Sequence, residues 1–394
     1  MEASLYVHVP FCAGACDYCD FYSVPVEKPD LWSEDPRLER FMDVLLADAG
    51  MLFKSYKPGS VPTLYIGGGT PSVLGPAGIR RLLSGLLAVI ARYSPPPEEV
   101  TVEANPESAD EAFLAAAREG GATRLSLGVQ TFHGPSRRAV RRMGDETQLD
   151  GRLALAADYF PGGFSADLIS GLPLQSEKIL LDDIDRLLAH KPAHVSLYAL
   201  SAEPGTPLAE SPAFMDRDGA DRLWLSGRDA LEKAGYGQYE VSNFCLSGKE
   251  SRHNIRYWRM RNWLALGPAA SGTVIDDDTG TGMRYTAPPD LDAWLTENHS
   301  RFPGDSGIEE LDALTLMKES LLMGFRYAEG PDQELFQRRF RRTTGDTIPK
   351  TMRAWRNRGL MRKDGTALTK EGLLFLNAFL VDAFKELDDV FPAC

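Results

Sequence analysis

The stretch Leu5-Tyr-Val-His-Val-Pro-Phe-Cys12-Ala-Gly-Ala-Cys16-Asp-Tyr-Cys19 joins a short strand pattern to three cysteines that lie within eight residues. Soft thiolates spaced as C-x3-C-x2-C select an iron–sulfur cluster or zinc over hard cations. Position 21 is Phe21, so the run supplies three thiolates where a closed structural site needs four protein ligands. One position of the metal centre is therefore left open. The alternative is a structural zinc site completed by His8 or by a distant residue.

The composition is typical of a soluble globular protein, with 43% apolar and 25% charged residues among 394. This length allows two domains, one large and one small. The net charge of −13 argues against broad, non-specific attraction to nucleic acid or to an anionic membrane. Arg338-Arg-Phe-Arg-Arg342 is a local exception, which we interpret as a solvated helix face rather than an anion-binding patch.

Three features of the sequence predict a cytoplasmic location. Leu5–Val9 alternates like a strand, which leaves no room for a signal peptide before the cysteines. No apolar run reaches 18 residues, so no transmembrane segment is predicted; the most apolar stretch, Leu373–Phe384, is interrupted by Asn377 and Asp382 and predicts a core helix. Five cysteines, an odd number, do not suggest a disulfide framework, so we expect a reducing compartment.

Short apolar segments alternate with longer segments of helical periodicity between residues 1 and about 200. The pattern predicts six strands, at Leu5–Val9, Thr63–Ile66, Val100–Glu103, Arg124–Leu127, Phe164–Leu168 and His194–Ala199. It predicts amphipathic helices at Arg37–Phe53, Ile79–Tyr93, Ala109–Glu119 and Glu177–Ala189. Strand-then-helix units imply an α/β fold with a parallel sheet. Periodicity leaves open whether this sheet is doubly wound or forms an open (β/α) barrel.

Polar and glycine-rich residues follow the predicted strands at the point where each strand ends. The carboxyl ends of parallel strands meet at one edge of such a fold, where ligands bind. In chain order these residues are Cys12–Cys19, Gly67–Pro71, Glu103 with Asn105, Gly128 with Gln130, Asp167 and Ala199. The sequence therefore predicts a single site built from six strand ends.

Other candidates for this site are aromatic or charged. Tyr6 and His8 share one face of the first strand, and they face the barrel interior if the intervening valines face the helices. Tyr18, between the second and third cysteines, is well placed to cover a cluster or a bound base. Arg142 is nearly as well explained by an ordinary salt bridge. The backbone N–H groups of Gly67-Gly-Gly-Thr70 could surround an anion. The segment is not a P-loop, because no Lys-Ser/Thr follows. The alternative is a tight strand-to-helix turn that needs the conformational freedom of glycine.

The pattern changes after about residue 308, where helices precede Gly359-Leu-Met-Arg-Lys-Asp-Gly-Thr-Ala-Leu-Thr369. This segment resembles a β-wing, so a small winged-helix-like domain is predicted at the C-terminus. We prefer a lid or docking role for it over nucleic-acid binding, because fold analogy is weak evidence of function. The predicted division is a core over residues 1–200, a barrel extension over 201–307 and the C-terminal domain over 308–394.

Seven motifs accompany the cysteine run. They are Tyr6-Val-His-Val-Pro-Phe-Cys12, Gly67-Gly-Gly-Thr-Pro-Ser72, Glu103-Ala-Asn-Pro106, Arg124-Leu-Ser-Leu-Gly-Val-Gln130, Asp167-Leu-Ile-Ser-Gly-Leu-Pro173, Ser196-Leu-Tyr-Ala-Leu200 and Tyr239-Glu-Val-Ser-Asn-Phe244. With them, nearly the whole chain resembles the oxygen-independent coproporphyrinogen III oxidase family of the radical S-adenosylmethionine (radical SAM) superfamily. The resemblance implies a partial (β/α)6 barrel and a [4Fe–4S] cluster whose free iron binds SAM. The implied cluster ligands are Cys12, Cys16 and Cys19, and the implied SAM residues are Tyr6, Tyr18, Gly68, Gly69, Thr70, Glu103, Gln130, Arg142, Asp167 and Ala199.

That family has two branches, which differ at two motifs. The oxidase branch has C-x3-C-x2-C-x-C and an N-terminal extension, whereas the HemW-type heme chaperones have C-x3-C-x2-C-x-F and H-N-x-x-Y-W. Cys19-Asp-Phe21 and His253-Asn-Ile-Arg-Tyr-Trp258 fit the chaperone pattern. The resemblance implies heme as a third bound group, an unidentified heme-acceptor protein, an electron donor for the cluster and no nucleic-acid partner.

His253 is the predicted ligand of the heme iron, because histidine is the commonest proximal ligand. The alternative is that His253 is a structural residue. The alternative function is oxidative decarboxylation of coproporphyrinogen III, and a third is radical SAM chemistry on a substrate that is not a porphyrin.

Overall fold

The computed structural model of the chain describes residues 1–26, 35–201, 203–211, 217–296 and 307–390. The strands in this part are β1 (Ser4–Val9), β2 (Phe11–Cys12), β3 (Val24–Pro25), β4 (Thr63–Gly68), β5 (Glu99–Ala104), β6 (Arg124–Gln130), β7 (Phe164–Ser170), β8 (His194–Ala199), β9 (Gly237–Gln238), β10 (Asn243–Cys245), β11 (Trp263–Leu266), β12 (Ser271–Asp276), β13 (Thr281–Thr286) and β14 (Ile308–Leu311). The helices are α1 (Pro36–Tyr56), α2 (Gly75–Ile90), α3 (Glu111–Glu119), α4 (Gly134–Ala139), α5 (Leu149–Tyr159), α6 (Glu177–Leu188), α7 (Arg217–Lys233), α8 (Arg252–Trp258), α9 (Leu291–Thr296), α10 (Ala313–Gly324), α11 (Gln333–Phe340), α12 (Thr344–Thr347), α13 (Pro349–Asn357), α14 (Lys370–Leu373) and α15 (Leu376–Val390).

A parallel sheet in the order β11-β1-β4-β5-β6-β7-β8 forms the centre of the fold. From β1 to β8, each strand is added on the same side of the one before it. A doubly wound sheet reverses its strand order near the middle, whereas a (β/α) barrel does not. The strand order therefore identifies the fold as a (β/α) barrel and not a doubly wound sheet, a choice that periodicity could not make. Within the described residues β8 and β11 do not pair with each other, so the barrel is open.

The six predicted strands are all present, with ends that agree to within three residues. The seventh parallel strand, β11, was missed. It pairs with β1 from Ser4 opposite Trp263 to Val7 opposite Leu266, and antiparallel β12, β13 and β14 continue the sheet beyond it. Four residues carry too little periodicity to predict a strand, and β11 is defined by its pairing with the first strand of the chain.

The crossover helices begin where side chains can cap them and bury one apolar face. Asp35, Asp110 and Ser176 accept hydrogen bonds from backbone N–H groups in the first turns of α1, α3 and α6. Leu5 and Val7 of β1 are fully buried in the same apolar core as Phe41 of α1. The valines of β1 therefore face the helices, as predicted, and leave the opposite face of the strand for the barrel interior.

One helix among the described residues, Pro71–Ile90, is long and apolar enough to cross a membrane by length and composition. Its mean hydropathy is 1.5 and half of it is buried, with Ile79 and Leu83 of α2 in the main core. It also carries Arg80 and Arg81. A core helix that packs against a sheet passes the same test, so this helix is weak evidence of a membrane span.

The C-terminal helices pack around a second apolar core that includes Phe325, Trp355 and Phe379. The predicted core helix over 373–384 is present as α14 and α15. The predicted β-wing is reduced to one antiparallel bridge, Met361 with Leu368, so the winged-helix assignment stays a prediction, as does the three-part domain division.

The interpretation of Arg338–Arg342 as a solvated helix face needs correction. Arg339 is buried, and it shares Asp277 with Arg338 as an ion-pair partner. The part of the run on α11 therefore fixes that helix against the loop between β12 and β13.

Candidate functional site

The three cysteines lie in the turn that follows β1, at the carboxyl edge of the sheet. Cys12 ends β2, Cys16 is buried and Cys19 is exposed. The backbone N–H of Cys19 donates to the Cys16 carbonyl over 3.1 Å, which closes the turn. All three thiols are free.

Three free thiols are the donor set that an iron–sulfur cluster requires. Cys12 Sγ lies 3.1 Å from the Gly14 carbonyl oxygen and 3.2 Å from Thr70 Oγ1, and metal binding would replace these thiol contacts by thiolate–metal bonds. In the described ranges no three His, Cys, Asp or Glu side chains already lie close enough together to hold a metal ion. The donor chemistry fits a cluster, and the cluster itself stays a prediction.

His8 is not available to complete a zinc site in this arrangement. Its Nδ1 is 3.0 Å from Tyr6 Oη, and its Nε2 is 2.9 Å from the carbonyl oxygen of Tyr22. Burial lowers the pKa of His8, so the ring stays neutral and hydrogen-bonded at both nitrogens. The zinc alternative therefore loses the ligand nearest the cysteines.

The glycines after β4 allow a close approach to the cysteine segment. Gly68 has φ +107°, and a Cβ there would lie 2.6 Å from the His8 ring; a Cβ on Gly69 would lie 2.6 Å from the Phe11 carbonyl oxygen. The backbone N–H groups of this segment are already used, since Gly68 donates to Glu103, Gly69 to the carbonyl of Val9 and Thr70 to that of Phe11. These glycines bring β4 against the cysteines, and their N–H groups do not form an anion cradle.

A series of polar contacts connects the cysteine loop to Arg142 across three strand ends. Thr70 Oγ1 accepts from Asn105 Nδ2 over 3.0 Å, and Asn105 Oδ1 accepts from Arg142 Nη2 over 2.9 Å. The same guanidinium nitrogen donates to the Gly128 carbonyl over 2.6 Å, and Arg142 also hydrogen-bonds Cys16. The ends of β4, β5 and β6 thus meet at one cation beside the cysteines.

Arg142 keeps its charge although it is buried. Burial disfavours the charged guanidinium, but the carboxylate of Glu107, 3.5 Å away, together with Tyr18 and Cys16 more than offsets this effect, and the pKa of Arg142 lies above its ordinary value. Among the described residues, Arg142 Nε and both carboxylate oxygens of Glu107 have no hydrogen-bond partner. A buried guanidinium with an unused N–H is suited to a carboxylate ligand.

Gln130 lies where the pairing of β6 with β7 is irregular. The register shifts between Gly128 and Gln130, and Gln130 has φ +70°. Such strained non-glycine residues cluster at functional sites. Its buried Oε1 has no partner within the described chain, and a Cβ on Gly128 would lie 2.9 Å from its Nε2. The side-chain amide is therefore held inside the site with spare hydrogen-bonding capacity.

Glu103 lies deeper in the barrel, beside two tyrosines. Tyr65 Oη donates to its Oε1 over 2.5 Å, and the Gly68 N–H donates to its Oε2 over 3.2 Å. Burial raises the pKa of Glu103 to about 7, the Tyr65 hydrogen bond opposes this, and the charge of Asp167 adds to it. Burial and Glu103 also raise the pKa of Tyr6, so the predicted interior position of Tyr6 is the observed one.

The remaining predicted residues line the far side of the barrel opening. Burial raises the pKa of Asp167, which hydrogen-bonds Ser196 and Ser126. Ala199 is exposed at the end of β8. Tyr18 packs against an apolar cluster formed by Val140, Ile169, Leu172, Leu200 and Leu208, so its ring connects the cysteine loop to the ends of β7 and β8.

His253 lies at the opposite end of the barrel from the cysteines, and its role as the ligand of the heme iron stays a prediction. Its Nδ1 is 2.8 Å from the hydroxyl of Thr63, the first residue of β4, and its backbone N–H donates to Glu99, the first residue of β5. Its Nε2 is 3.0 Å from Tyr257 Oη. Burial lowers the pKa of His253 to about 3. Both ring nitrogens are engaged at the amino ends of the strands, so His253 anchors α8, and iron binding by either nitrogen would require one of these hydrogen bonds to break.

We therefore predict that His253→Ala destabilises the protein and leaves heme affinity unchanged. The substitution removes a buried ring and two hydrogen bonds, which should cost about 2–4 kcal/mol. Chemical denaturation measures the loss of stability, and a heme titration of the folded variant measures affinity. A folded variant that has lost heme binding would restore the ligand assignment. Tyr257→Phe is the matched control, because it keeps both rings and removes only the hydrogen bond between Tyr257 Oη and His253 Nε2.

Two residues of the site were not predicted as part of it. Glu107 lies beside Arg142 as its countercharge, and Tyr65 donates to Glu103. Neither residue carries a signal in the sequence, because their roles depend on side chains from other strands. Asn105, which was predicted as a strand-end residue of the site, joins Thr70 to Arg142.

Comparison with known proteins identifies the class of this protein. The sequence pattern of the radical SAM superfamily matches residues 6–187. Coproporphyrinogen III oxidase (HemN) from Escherichia coli, a radical SAM enzyme, has a solved structure that superposes with a TM-score of 0.76 over 97% of this chain and 90% of that one, at 19% identity. The shared fold and the three cysteines after the first strand define a radical SAM protein.

The family of the chain follows from its similarity in sequence to known proteins. The chain is 33% identical to the mouse mitochondrial protein named radical S-adenosyl methionine domain-containing protein 1, over 98% of this chain and 88% of the relative. It is 32% identical to the heme chaperone HemW of Lactococcus lactis, over 86% of this chain and 85% of the relative. The chain belongs to the HemW heme chaperone family of the radical SAM superfamily.

Proposed function

We propose that this chain is a heme chaperone that binds a [4Fe–4S] cluster, SAM and heme, and passes heme to an acceptor protein. The observation that carries the proposal is the cysteine loop at the carboxyl ends of the strands, with exposed Phe21 where a fourth cysteine would stand in the oxidase branch. Family membership supports heme as the cargo, because relatives carry the name heme chaperone.

Cys12, Cys16 and Cys19 would hold the cluster through their thiolates. The cluster supplies an open iron for SAM and a centre for one-electron reduction by a donor protein. Two side chains of the protein contact the cysteine sulfurs. Thr70 contacts Cys12, and Arg142 hydrogen-bonds Cys16.

The polar side chains around the loop would bind SAM by complementary charge. Arg142, with its unused N–H, suits the carboxylate of SAM. Glu103 and Asp167 supply acceptors for the amino group and for ribose hydroxyls. The Gln130 amide can hydrogen-bond to either of these groups. The remaining predicted contacts, Tyr6, Tyr18, Gly68, Gly69 and Ala199, lie along the same opening.

The heme site and the cellular location are part of the proposal. His253 is buried at the other end of the barrel, which favours a different ligand for the heme iron. Relatives include proteins named as mitochondrial and proteins of bacteria. We propose a reducing compartment such as the cytoplasm, where free thiols persist.

The test of function separates the chaperone from the oxidase. The anaerobically reconstituted protein is incubated with coproporphyrinogen III, SAM and a reductant, and porphyrin products are separated by chromatography. The chaperone proposal predicts no decarboxylated product, because Phe21 replaces the fourth cysteine that accompanies the oxidase branch. Stoichiometric formation of protoporphyrinogen would instead establish the oxidase.

We predict that Glu103→Gln weakens SAM binding and flattens the dependence of stability on pH. The pKa of Glu103 rises from 4.5 to about 7 on folding, so the native state holds a proton that the unfolded chain releases. The associated stability is present below pH ~4.5 and is lost as the pH rises through about 7, by on the order of 3 kcal/mol. Unfolding at several pH values and SAM titrations measure the two effects.

Glu240→Gln is the matched control for this prediction. Burial also raises the pKa of Glu240 to about 7, so its substitution should flatten the pH dependence in the same way. Glu240 lies after β9, away from the cysteine loop, and SAM affinity should not change. Equal losses of SAM affinity in both variants would remove Glu103 from the SAM site.

A further inference from the structure

A row of aromatic side chains runs from the cysteine loop to the amino ends of the strands. In order from the loop, its members are Tyr22, His8, Tyr6, Tyr65, His253, Tyr257 and Trp263, and we refer to this set as the aromatic row. The centroids of successive rings are 6.4, 6.1, 6.3, 5.0, 4.8 and 5.1 Å apart. Tyr22 follows Cys19 closely, and Trp263 begins β11. The row therefore connects the two ends of the barrel with no wide gap between rings.

The aromatic row is assembled from segments that are distant in the sequence. Tyr6 and Tyr65 are paired residues of β1 and β4, and both lie beside Glu103 in the barrel interior. His253 and Tyr257 lie one turn apart on α8, so their rings meet. The H-N-x-x-Y-W motif therefore supplies two members of the row, a role that the proposed function does not use.

The three inner tyrosines of the row each form a hydrogen bond to a side chain that can accept a proton. These pairs are Tyr6 with His8 (3.0 Å), Tyr65 with Glu103 (2.5 Å) and Tyr257 with His253 (3.0 Å). Burial raises the pKa of all three phenols, so each keeps its proton in the resting protein.

The second contact of His8 shows which of its nitrogens accepts. His8 Nε2 lies 2.9 Å from the carbonyl oxygen of Tyr22, and a carbonyl can only accept, so Nε2 carries the proton. Burial lowers the pKa of His8, which leaves the ring neutral. Nδ1 is therefore an acceptor, and the Tyr6 hydroxyl donates to it.

The same argument applies to His253. Thr63 Oγ1 donates to Ser4 Oγ over 2.8 Å, so toward His253 it can only accept, and Nδ1 carries the proton of that ring. Burial lowers the pKa of His253 to about 3, so Nε2 stays unprotonated and accepts from the Tyr257 hydroxyl. A phenol that loses an electron becomes a strong acid, and a base in this position takes its proton and stabilises the oxidised state.

We propose that the aromatic row carries oxidising equivalents from the cysteine loop to Trp263, where a low-molecular-weight thiol discharges them. The oxidant is hydrogen peroxide that reacts with iron at the loop, a source that rests on the proposed cluster. Two transfers convert one hydrogen peroxide and two thiols into two water molecules and one disulfide, with protons exchanged through solvent. The route thereby protects the cluster cysteines from oxidation.

Each transfer moves one electron toward the loop and returns every proton to its tyrosine. Tyr6 gives an electron to the oxidised iron, and its proton moves to His8. Tyr65 then supplies the electron that restores Tyr6, whose proton returns from His8, while the proton of Tyr65 moves to Glu103. The pair on α8 repeats this step, and Trp263 passes on the electron of the thiol.

Photo-oxidation from the cysteine loop tests the route without cluster or heme. A ruthenium photo-oxidant is attached to exposed Cys19 in the full-length protein carrying Cys394→Ser, and peptide mapping verifies its position. After a laser flash, transient absorption should show a tyrosyl radical and then a tryptophan radical that is absent in Trp263→Phe. Tyr65→Phe should abolish the tryptophan radical and prolong the tyrosyl radical, and Tyr257→Phe should also abolish the tryptophan radical.

Peroxide treatment of the anaerobically reconstituted protein tests the protective role. With hydrogen peroxide and glutathione present, the iron–thiolate absorption should be lost faster in Tyr65→Phe than in the unmodified protein. Equal rates of loss would overturn the protective role, and so would a reconstituted sample that holds no iron. Iron and sulfide analyses and heme titration report on the chaperone proposal separately.

Tyr159→Phe is the matched control for Tyr65→Phe. Tyr159 of α5 also donates to a glutamate, Glu111, over 3.2 Å, but it is not a member of the aromatic row. Its radical yield and its rate of cluster loss should equal those of the unmodified protein, and thermal unfolding verifies that each variant is folded. The proposal is overturned if the Trp263 radical forms equally in Tyr65→Phe, fails to form in the unmodified protein, or is lost equally in Tyr159→Phe.

Discussion

Replacing Cys16 by alanine is expected to abolish cluster assembly, the largest effect of any single substitution in this protein. Two thiolates cannot hold a cubane that needs three protein ligands and one open iron. After anaerobic reconstitution the variant should lack the broad iron–thiolate absorption and contain no stoichiometric sulfide. Iron, sulfide and zinc analyses of the purified protein measure this directly.

Cys245→Ala is the matched control for the cluster. Cys245 is also a free cysteine, but it is buried in β10, away from the cysteine loop, so its loss should leave iron and sulfide unchanged. Stoichiometric zinc without iron or sulfide in the unmodified protein would contradict the cluster assignment and revive the structural zinc site.

The second large effect is expected for Arg142→Ala, which should weaken SAM binding by ~10²-fold or more. Arg142 is the buried cation at which the Asn105 amide, the Gly128 carbonyl and Cys16 meet. Truncation leaves the Glu107 carboxylate buried without a countercharge, and it removes the paired N–H donors of the guanidinium that suit a carboxylate ligand. Such losses cost about 2–5 kcal/mol of binding free energy. Equilibrium titration of the reconstituted variant with SAM measures the change.

Arg138→Ala provides the control, because this nearby arginine is exposed and pairs with Glu146, which is outside the cysteine loop. It should bind SAM as the unmodified protein does. Arg142→Lys separates charge from geometry, since it keeps the cation and loses the two-pronged donor. Unchanged SAM affinity in a folded Arg142→Ala variant would remove Arg142 from the site.

The central fold could be predicted from the sequence because its signals are local. Each strand from β1 to β8 is a short apolar run followed by glycine or polar residues, and the helices between them show helical periodicity. The direction in which strands are added could not be read from periodicity, since it depends on how each crossover packs. The short β11 and the single bridge of the predicted wing depend on pairing between distant segments, for which the sequence has no local pattern.

The candidate site was predictable to the extent that strand ends converge. The positions of Thr70, Asn105 and Gln130 follow from that rule, whereas Arg142 comes after α4 and reaches these strand ends through its side chain. The sequence was less informative for His253, because a motif identifies a histidine but does not show whether its nitrogens are free. Here Thr63 and Tyr257 occupy both nitrogens, and these partners come from β4 and from the next turn of α8.

Heme titration of the anaerobically reconstituted protein is the most direct test of the chaperone proposal. We predict saturable binding of about one heme per chain, with a Soret band that is retained in a folded His253→Ala variant. Absence of saturable heme binding by protein that carries its cluster would contradict the chaperone proposal.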